Sequence, residues 1–131
     1  MIYGLFIILH SCLPVLLLPM QDDTYLSRTA ASWAQDLHHS DPQVRRAAAF
    51  ALGKLGKHSL PHLPVLYRLL LEEKTTAVRL IIATSLTELG PLSPDEAVGC
   101  YLQAWKQEKE LAIRRQLLQA LGKLGERSSV S

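Results

Sequence analysis

Residues 41–56 read DPQVRRAAAFALGKLG, and the pattern returns as TTAVRLIIATSLTELG from Thr75 and ELAIRRQLLQALGKLG from Glu110. The three segments align without gaps at offsets of 34 and 35 residues, and the first and third share eight of sixteen positions. One unit therefore recurs along the chain. Arg45, Arg79 and Arg114 fall in one column, and Gly56, Gly90 and Gly125 close each segment. Each copy predicts an amphipathic helix. Val44, Ala48, Leu52 and Leu55 line one face at a 3.6-residue period, as do Val78, Ile82, Leu86 and Leu89, and then Ile113, Leu117, Leu121 and Leu124. Asp41 before Pro42 reads as an N-cap followed by a first-turn proline. The closing glycines read as left-handed C-caps, where a Cβ is costly.

Working outward, a second helix follows each of the first two copies, starting at Ser59 and at Ser93. Ser93, Pro94 and Glu96 have the spacing of a capping box with proline in the first turn. Tyr67 and Tyr101 share a column in these helices, and one further step back places Trp33 in it. Residues 24–40 thus read as the second helix of an earlier, degenerate copy. Stepping the first-helix pattern back puts Ser11 under the arginine, and nothing fits. The expected organisation is an apolar segment over 1–21 outside the repeat and a repeat domain over 24–131. Within that domain lie a lone second helix (24–40), repeats at 41–74 and 75–109, and a half repeat at 110–125.

Length and composition agree with one domain: 131 residues, 48% hydrophobic and 20% charged, enough to fill a core and unlike a solvating disordered tail. Fourteen Lys and Arg against twelve Asp and Glu give a net charge of +2. The segments 1–40, 41–74, 75–109 and 110–131 carry −2, +3, −1 and +2, so no basic stripe is sustained and nucleic acid is not the expected partner. Aromatic residues, at 6%, do not interleave with the basic ones as a stacking platform requires.

Residues 1–21 hold no charged side chain and are long enough to span a bilayer. They resemble a secretory signal but lack a basic start and small residues at a cleavage spacing, and His10, Pro14 and Pro19 interrupt the run. A signal or anchor, a buried first helix and an irregular start all stay open. The two cysteines, Cys12 and Cys100, make no disulfide framework, and Cys100 reads as a small buried residue within a helix.

The run Val44-Arg45-Arg46-Ala47-Ala48-Ala49-Phe50-Ala51-Leu52-Gly53-Lys54-Leu55-Gly56 resembles the HEAT repeat, in the short form of bilin-lyase-type HEAT-like proteins. The resemblance covers residues 24–131. It implies an all-α fold, an α-solenoid of antiparallel helix pairs of the HEAT-like or armadillo type, whose usual work is binding other proteins. It also implies an Asp shortly before the Arg, forming a ladder between neighbouring repeats. Asp41 keeps that residue and Glu110 substitutes for it, whereas Thr75 does not, which leaves one rung without its acid.

Stacking is also a physical requirement, because one helix pair cannot bury its apolar faces alone. The solenoid is expected to be truncated at its C-terminal end. There the stripe of Ile113, Leu117, Leu121 and Leu124 has no second helix to cover it. A longer array, a partner or a second copy is expected there.

Chemistry finds little support. None of the five histidines is followed by glutamate, so the His-Glu motif of di-iron relatives with similar repeats is absent, and no metal or cofactor is expected. His58 and His62 have ligand-pair spacing, but a helix is expected to begin between them. Gly53-Lys54-Leu55-Gly56 ends a helix and does not form a phosphate loop. The expected function is therefore a non-catalytic scaffold or adaptor. Its protein-binding surface lies on the second helices at Arg68, Glu72, Glu73, Gln103 and Lys106, while the columns Arg45, Arg79, Arg114 and Gly56, Gly90, Gly125 are structural. A cytoplasmic location is expected. The alternatives are a bilin-lyase-like enzyme component and a membrane-anchored or secreted adaptor.

Overall fold

The computed structural model describes residues 23–91 and 93–129. Residues 1–21, on which the signal or anchor reading depends, lie outside them. Thr24–Tyr25 (β1) pairs antiparallel with Arg28–Thr29 (β2), and Ala30–Gln35 (α1) follows directly, running into a short 3-10 turn at Asp36–His38. Then come Pro42–Leu55 (α2), a 3-10 segment at Gly56–His62, Leu63–Glu72 (α3), Thr76–Leu89 (α4), Pro94–Gln107 (α5) and Leu111–Ser129 (α6). This is an all-α solenoid.

The helices form two layers. The first helices stack on one another, α2 on α4 and α4 on α6, while α3 lies beside α5. Each second helix also packs on the first helix of the next copy, α3 on α4 and α5 on α6. Between the layers sits one continuous core in which Leu52, Leu66, Ile82, Leu86, Ile113 and Leu117 are fully buried. Each helix repeats the same apolar stripe, so each interface repeats the one before it. That periodicity is what makes a stack rather than a globule.

Local chemistry sets the helix ends, and it departs from the sequence expectations at five places. Asp41 caps α2 as expected, its carboxylate accepting from Gln43 N at 2.9 Å. Residues 24–40 do not form one helix, because Thr29 caps α1 by accepting from Ser32 N, and the preceding residues turn back as a hairpin. Trp33 is nevertheless buried as its column requires, with Nε1 donating to Tyr25 O at 3.0 Å.

The helix expected from Ser59 begins four residues later, at Leu63. Ser59 turns inward and its hydroxyl donates to Leu52 O at 2.6 Å, satisfying a carbonyl near the end of α2. Ser93 is the N-cap residue of α5 but makes no side-chain cap bond, so the capping box does not form; Asp95 and Glu96 still place negative charge at the positive end of the helix. Gly56 and Gly90 take positive φ (55° and 73°) at the ends of α2 and α4, whereas Gly125 lies within α6, which continues to Ser129.

The fifth departure concerns the C-terminal stripe. Ile113 and Leu117 are fully buried and Leu124 nearly so, against α4 and α5. Leu121, the remaining residue of the stripe, is only partly buried. What α6 exposes is a different face, with Leu111 at 76% and Leu118 at 55% exposure.

Candidate functional site: a ladder of arginines and a polar ridge

Two of the three arginines of the repeat column, Arg45 and Arg79, adopt one posture, and Arg114 departs from it. Arg45 Nη1 donates to the carbonyls of His39 and Ser40, at 2.8 and 3.0 Å. Arg79 Nη1 does the same to Glu73 and Lys74, at 3.1 and 2.9 Å. Arg114 Nη1 donates to the carbonyls of Glu108 and Trp105, at 2.8 and 3.3 Å. Arg45 and Arg79 thus tie the start of their helices to the turn that leads into them, whereas Arg114 reaches back to Trp105 within α5 and stacks over its ring at 3.9 Å.

In Arg45 and Arg79 the opposite edge of the guanidinium reaches the far end of the same copy. Arg45 Nε and Nη2 donate to both oxygens of Glu73, at 2.8 and 2.9 Å. Arg79 Nε and Nη2 donate to both oxygens of Glu108, at 2.9 and 3.2 Å. These are bidentate, charge-assisted pairs. The carboxylates are largely out of water, with side-chain exposures of 4% for Glu73 and 6% for Glu108. Each acid also caps the following helix, Glu73 accepting from Thr75 N and Glu108 from Glu110 N, both at 3.1 Å.

The ladder acid is thus neither Asp41 nor Glu110, and Thr75 leaves no gap. Asp41 is spent on capping its own helix. The acids are Glu73 and Glu108, each six residues before the next arginine. Their Glu-Lys dipeptides, Glu73-Lys74 and Glu108-Lys109, stand in one column and were the signal available in the sequence.

Both pairs hold their acids ionised. The hydrogen bond from Arg45 keeps the Glu73 carboxyl below its ordinary range, outweighing burial. Burial acts to raise Glu108, but the Arg79 hydrogen bond together with the backbone donors brings it below its ordinary value. Open clefts of about 420 Å³ lie over each rung, one bounded by His39, Arg45 and Glu73, the other by Lys74, Arg79 and Glu108.

The second helices form the other feature. Arg68, Glu72, Gln103 and Lys106 are exposed, whereas Glu73 is buried in the ladder and is not available on that surface. Glu72 and Lys106 share a column, and Arg68 shares one with Leu102, which is 44% exposed. Leu102 completes a four-residue patch at i, i+4 spacing on two adjacent helices. Sequence reasoning missed it because an apolar residue in a helix reads as core; its alignment with Arg68 was the available clue.

The tyrosine column packs inside. Tyr67 and Tyr101 meet edge to face at 6.1 Å between centroids and are buried. Cys100 Sγ donates to Tyr67 O at 3.6 Å, and burial pushes its thiol up to about 11, far from a thiolate nucleophile. His58 and His62 lie in the 3-10 segment between α2 and α3. Among the described residues no cluster of His, Cys, Asp or Glu can hold a metal ion, and no helix is long and apolar enough to cross a membrane.

A family model for HEAT repeats matches residues 30–97. The chain belongs to the HEAT repeat family. No curated protein and no solved structure matches it. HEAT repeats generally mediate protein–protein interaction and are typically non-enzymatic. The match runs from the start of α1 into α5, so the ladder pair Arg45–Glu73 lies wholly inside it. In this HEAT chain the Nε and Nη2 donors of Arg45 and Arg79 are taken by glutamates.

Proposed function

We propose that this chain is a non-catalytic protein-interaction scaffold that engages its partner through the ridge formed by α3 and α5. The observation that carries the reading is the patch of Arg68, Glu72, Leu102 and Lys106. It combines one exposed leucine with three charged side chains on a pair of adjacent helices held in register by the core beneath. A rigid ridge with an apolar centre and a charged surround suits a helix or an extended segment carrying both apolar and charged residues. The edge-to-face contact of Tyr67 with Tyr101 holds the two helices from below, so the patch is pre-organised and little ordering entropy is lost on binding.

The test is capture of partners from native cells with the tagged full chain, next to the variant Arg68→Ala/Leu102→Asp/Lys106→Glu. All three positions are exposed, so the variant is expected to melt with the wild type. Stoichiometric partners recovered with wild type and lost with the variant support the ridge. Recovery of the same proteins with both rejects it, and so does recovery of the bait alone.

A further inference from the structure

The outward side of the first helices carries an apolar groove that the core does not use. Gln43, Arg46, Ala47 and Phe50 stand at i, i+3, i+4 and i+7 on α2 and form one wall, and Ile81 of α4 forms the other. The groove holds about 290 Å³ and is open to solvent. That lies just under the range of clefts that enclose a whole small ligand, about 300–1,000 Å³, and suits side chains presented by a peptide. Phe50 is 42% exposed. Its column holds Thr84 and Gln119 in the later copies, so this copy alone of the three places an aromatic ring there. The ring is braced: Tyr25 meets it edge-on at 6.2 Å between centroids, and Trp33 backs Tyr25 at 6.3 Å.

Charge brackets the ring. Arg46 and Lys54 stand four residues to either side of Phe50 on α2, and Lys54 Nζ lies 5.1 Å from the ring centroid. Arg46 is exposed and meets no carboxylate among the described residues. Lys54 reaches Glu88 at 3.9 Å, with both side chains nearly half exposed, so that pair leaves most of its charge in water.

We infer that this groove is a docking site for a short acidic amphipathic helix of a partner protein. Its aliphatic or aromatic anchors pack against Phe50 and Ile81, and its carboxylates stand beside Arg46 and Lys54. Charge complementarity selects that occupant. Residues 1–21 hold no charged side chain and offer nothing to either cation. A lipid surface would meet the charges but leave the recess beside Phe50 empty. The groove lies on the layer of α2 and α4 and the Arg68–Leu102 patch on that of α3 and α5, so the two readings stand or fall separately.

The experiment titrates the full chain into three labelled pools of helical peptides, followed by fluorescence anisotropy. In every pool the i, i+3, i+4 and i+7 positions vary among Leu, Ile, Met and Phe. The flanking positions are Glu in the first pool, Gln in the second and Lys in the third. The expected result is saturable binding of the Glu pool, at least about tenfold tighter than that of the Lys pool and weakened at least about tenfold by Phe50→Ala. Arg46→Glu is expected to weaken the Glu pool and strengthen the Lys pool, a change of opposite sign that a folding defect cannot produce. Leu102→Asp is expected to leave the Glu pool bound as in the wild type. Absence of saturable binding overturns the inference, as does equal affinity for the three pools or indifference to Phe50→Ala. Loss of binding with Leu102→Asp places the peptide on the ridge and overturns it too. So does capture of the chain by phosphatidylserine vesicles, abolished by Phe50→Ala, when the Glu pool does not bind, because a membrane is then the occupant.

Discussion

Substituting Arg79 by alanine tests whether the ladder holds the solenoid together. The side chain makes four hydrogen bonds, two to Glu108 and two to the carbonyls of Glu73 and Lys74. Alanine removes all four and strands the Glu108 carboxylate, whose side chain is only 6% exposed, with no cation. Breaking one partner of a buried pair costs about 3–5 kcal/mol. Arg79 keeps 17% of its side chain in water, and Glu108 retains the Lys109 and Glu110 amides, so the cost falls at or just below the bottom of that range, about 2–3 kcal/mol. For a domain near 100 residues each kcal/mol moves the melting midpoint by about 4–8 °C, so the expected drop is about 10–20 °C. Circular dichroism at 222 nm measures it. Adding Glu108→Gln removes the stranded charge while preserving an acceptor for the amides, so the double variant should lose less than the sum of the two single losses. Unchanged melting of Arg79→Ala, together with loss of a bound partner, would show the column to be a binding surface and refute the structural assignment.

Four further outcomes follow from individual contacts. Glu73 and Glu108 both have folded pKa values below their unfolded ones, so their contribution is full above the ordinary carboxylate range and is lost as pH falls through the folded values. The melting midpoint should therefore drop below about pH 4.5, and Glu73→Gln should flatten that drop in a pH series. Gly53→Ala should destabilise by about 1–3 kcal/mol in urea unfolding, because its Cβ meets Ser85 Oγ at 2.8 Å and Ser85 Cβ at 3.0 Å; the same change at Gly122 should not. Leu26 and Ser27 turn the hairpin at φ 50° and 63°, so Leu26→Asn/Ser27→Gly should raise stability by about 1 kcal/mol, read as a higher melting midpoint. Cys100, pushed up to about 11 by burial, should alkylate with iodoacetamide at neutral pH roughly 100-fold more slowly than a free cysteine of ordinary pKa, as followed by peptide mapping.

The regular part of the fold was legible because repetition multiplies a weak signal. The stripe of Val78, Ile82 and Leu86 becomes decisive when Ile113, Leu117 and Leu121 repeat it 35 residues on. Departures arose where one residue has two possible partners. Ser59 reads as a helix start, but its hydroxyl finds the Leu52 carbonyl and the helix waits for Leu63. Asp41 precedes Arg45 at a distance that suits either a cap or a ladder, and only the folded chain shows that the amide of Gln43 wins it. The rung itself joins residues 28 or 29 apart, a separation that no local pattern can recognise. Glu73 was misplaced on the binding surface for the same reason, since its neighbour Glu72 is exposed and sequence cannot separate the two.

That the acid closes one copy and caps the helix of the next has a consequence for function. Arg45–Glu73 and Arg79–Glu108 each tie the first helix of a copy to the end of its second helix, and each acid also accepts from an amide at the start of the next copy, so a rung is complete only when that neighbour is in place. The ladder therefore acts on the interface energies that govern cooperativity in a linear array. Glu73 also caps α4 and anchors Arg79 through its own carbonyl, so the first rung positions a residue of the second. A displacement at one turn is thereby passed along the edge of the stack. The second helices that carry Arg68 and Leu102 depend on that edge for their alignment. Loosening a rung is thus expected to weaken binding at the ridge even though Arg79 touches no residue of the patch, and Arg79→Lys, which retains the charge, should weaken it less than Arg79→Ala.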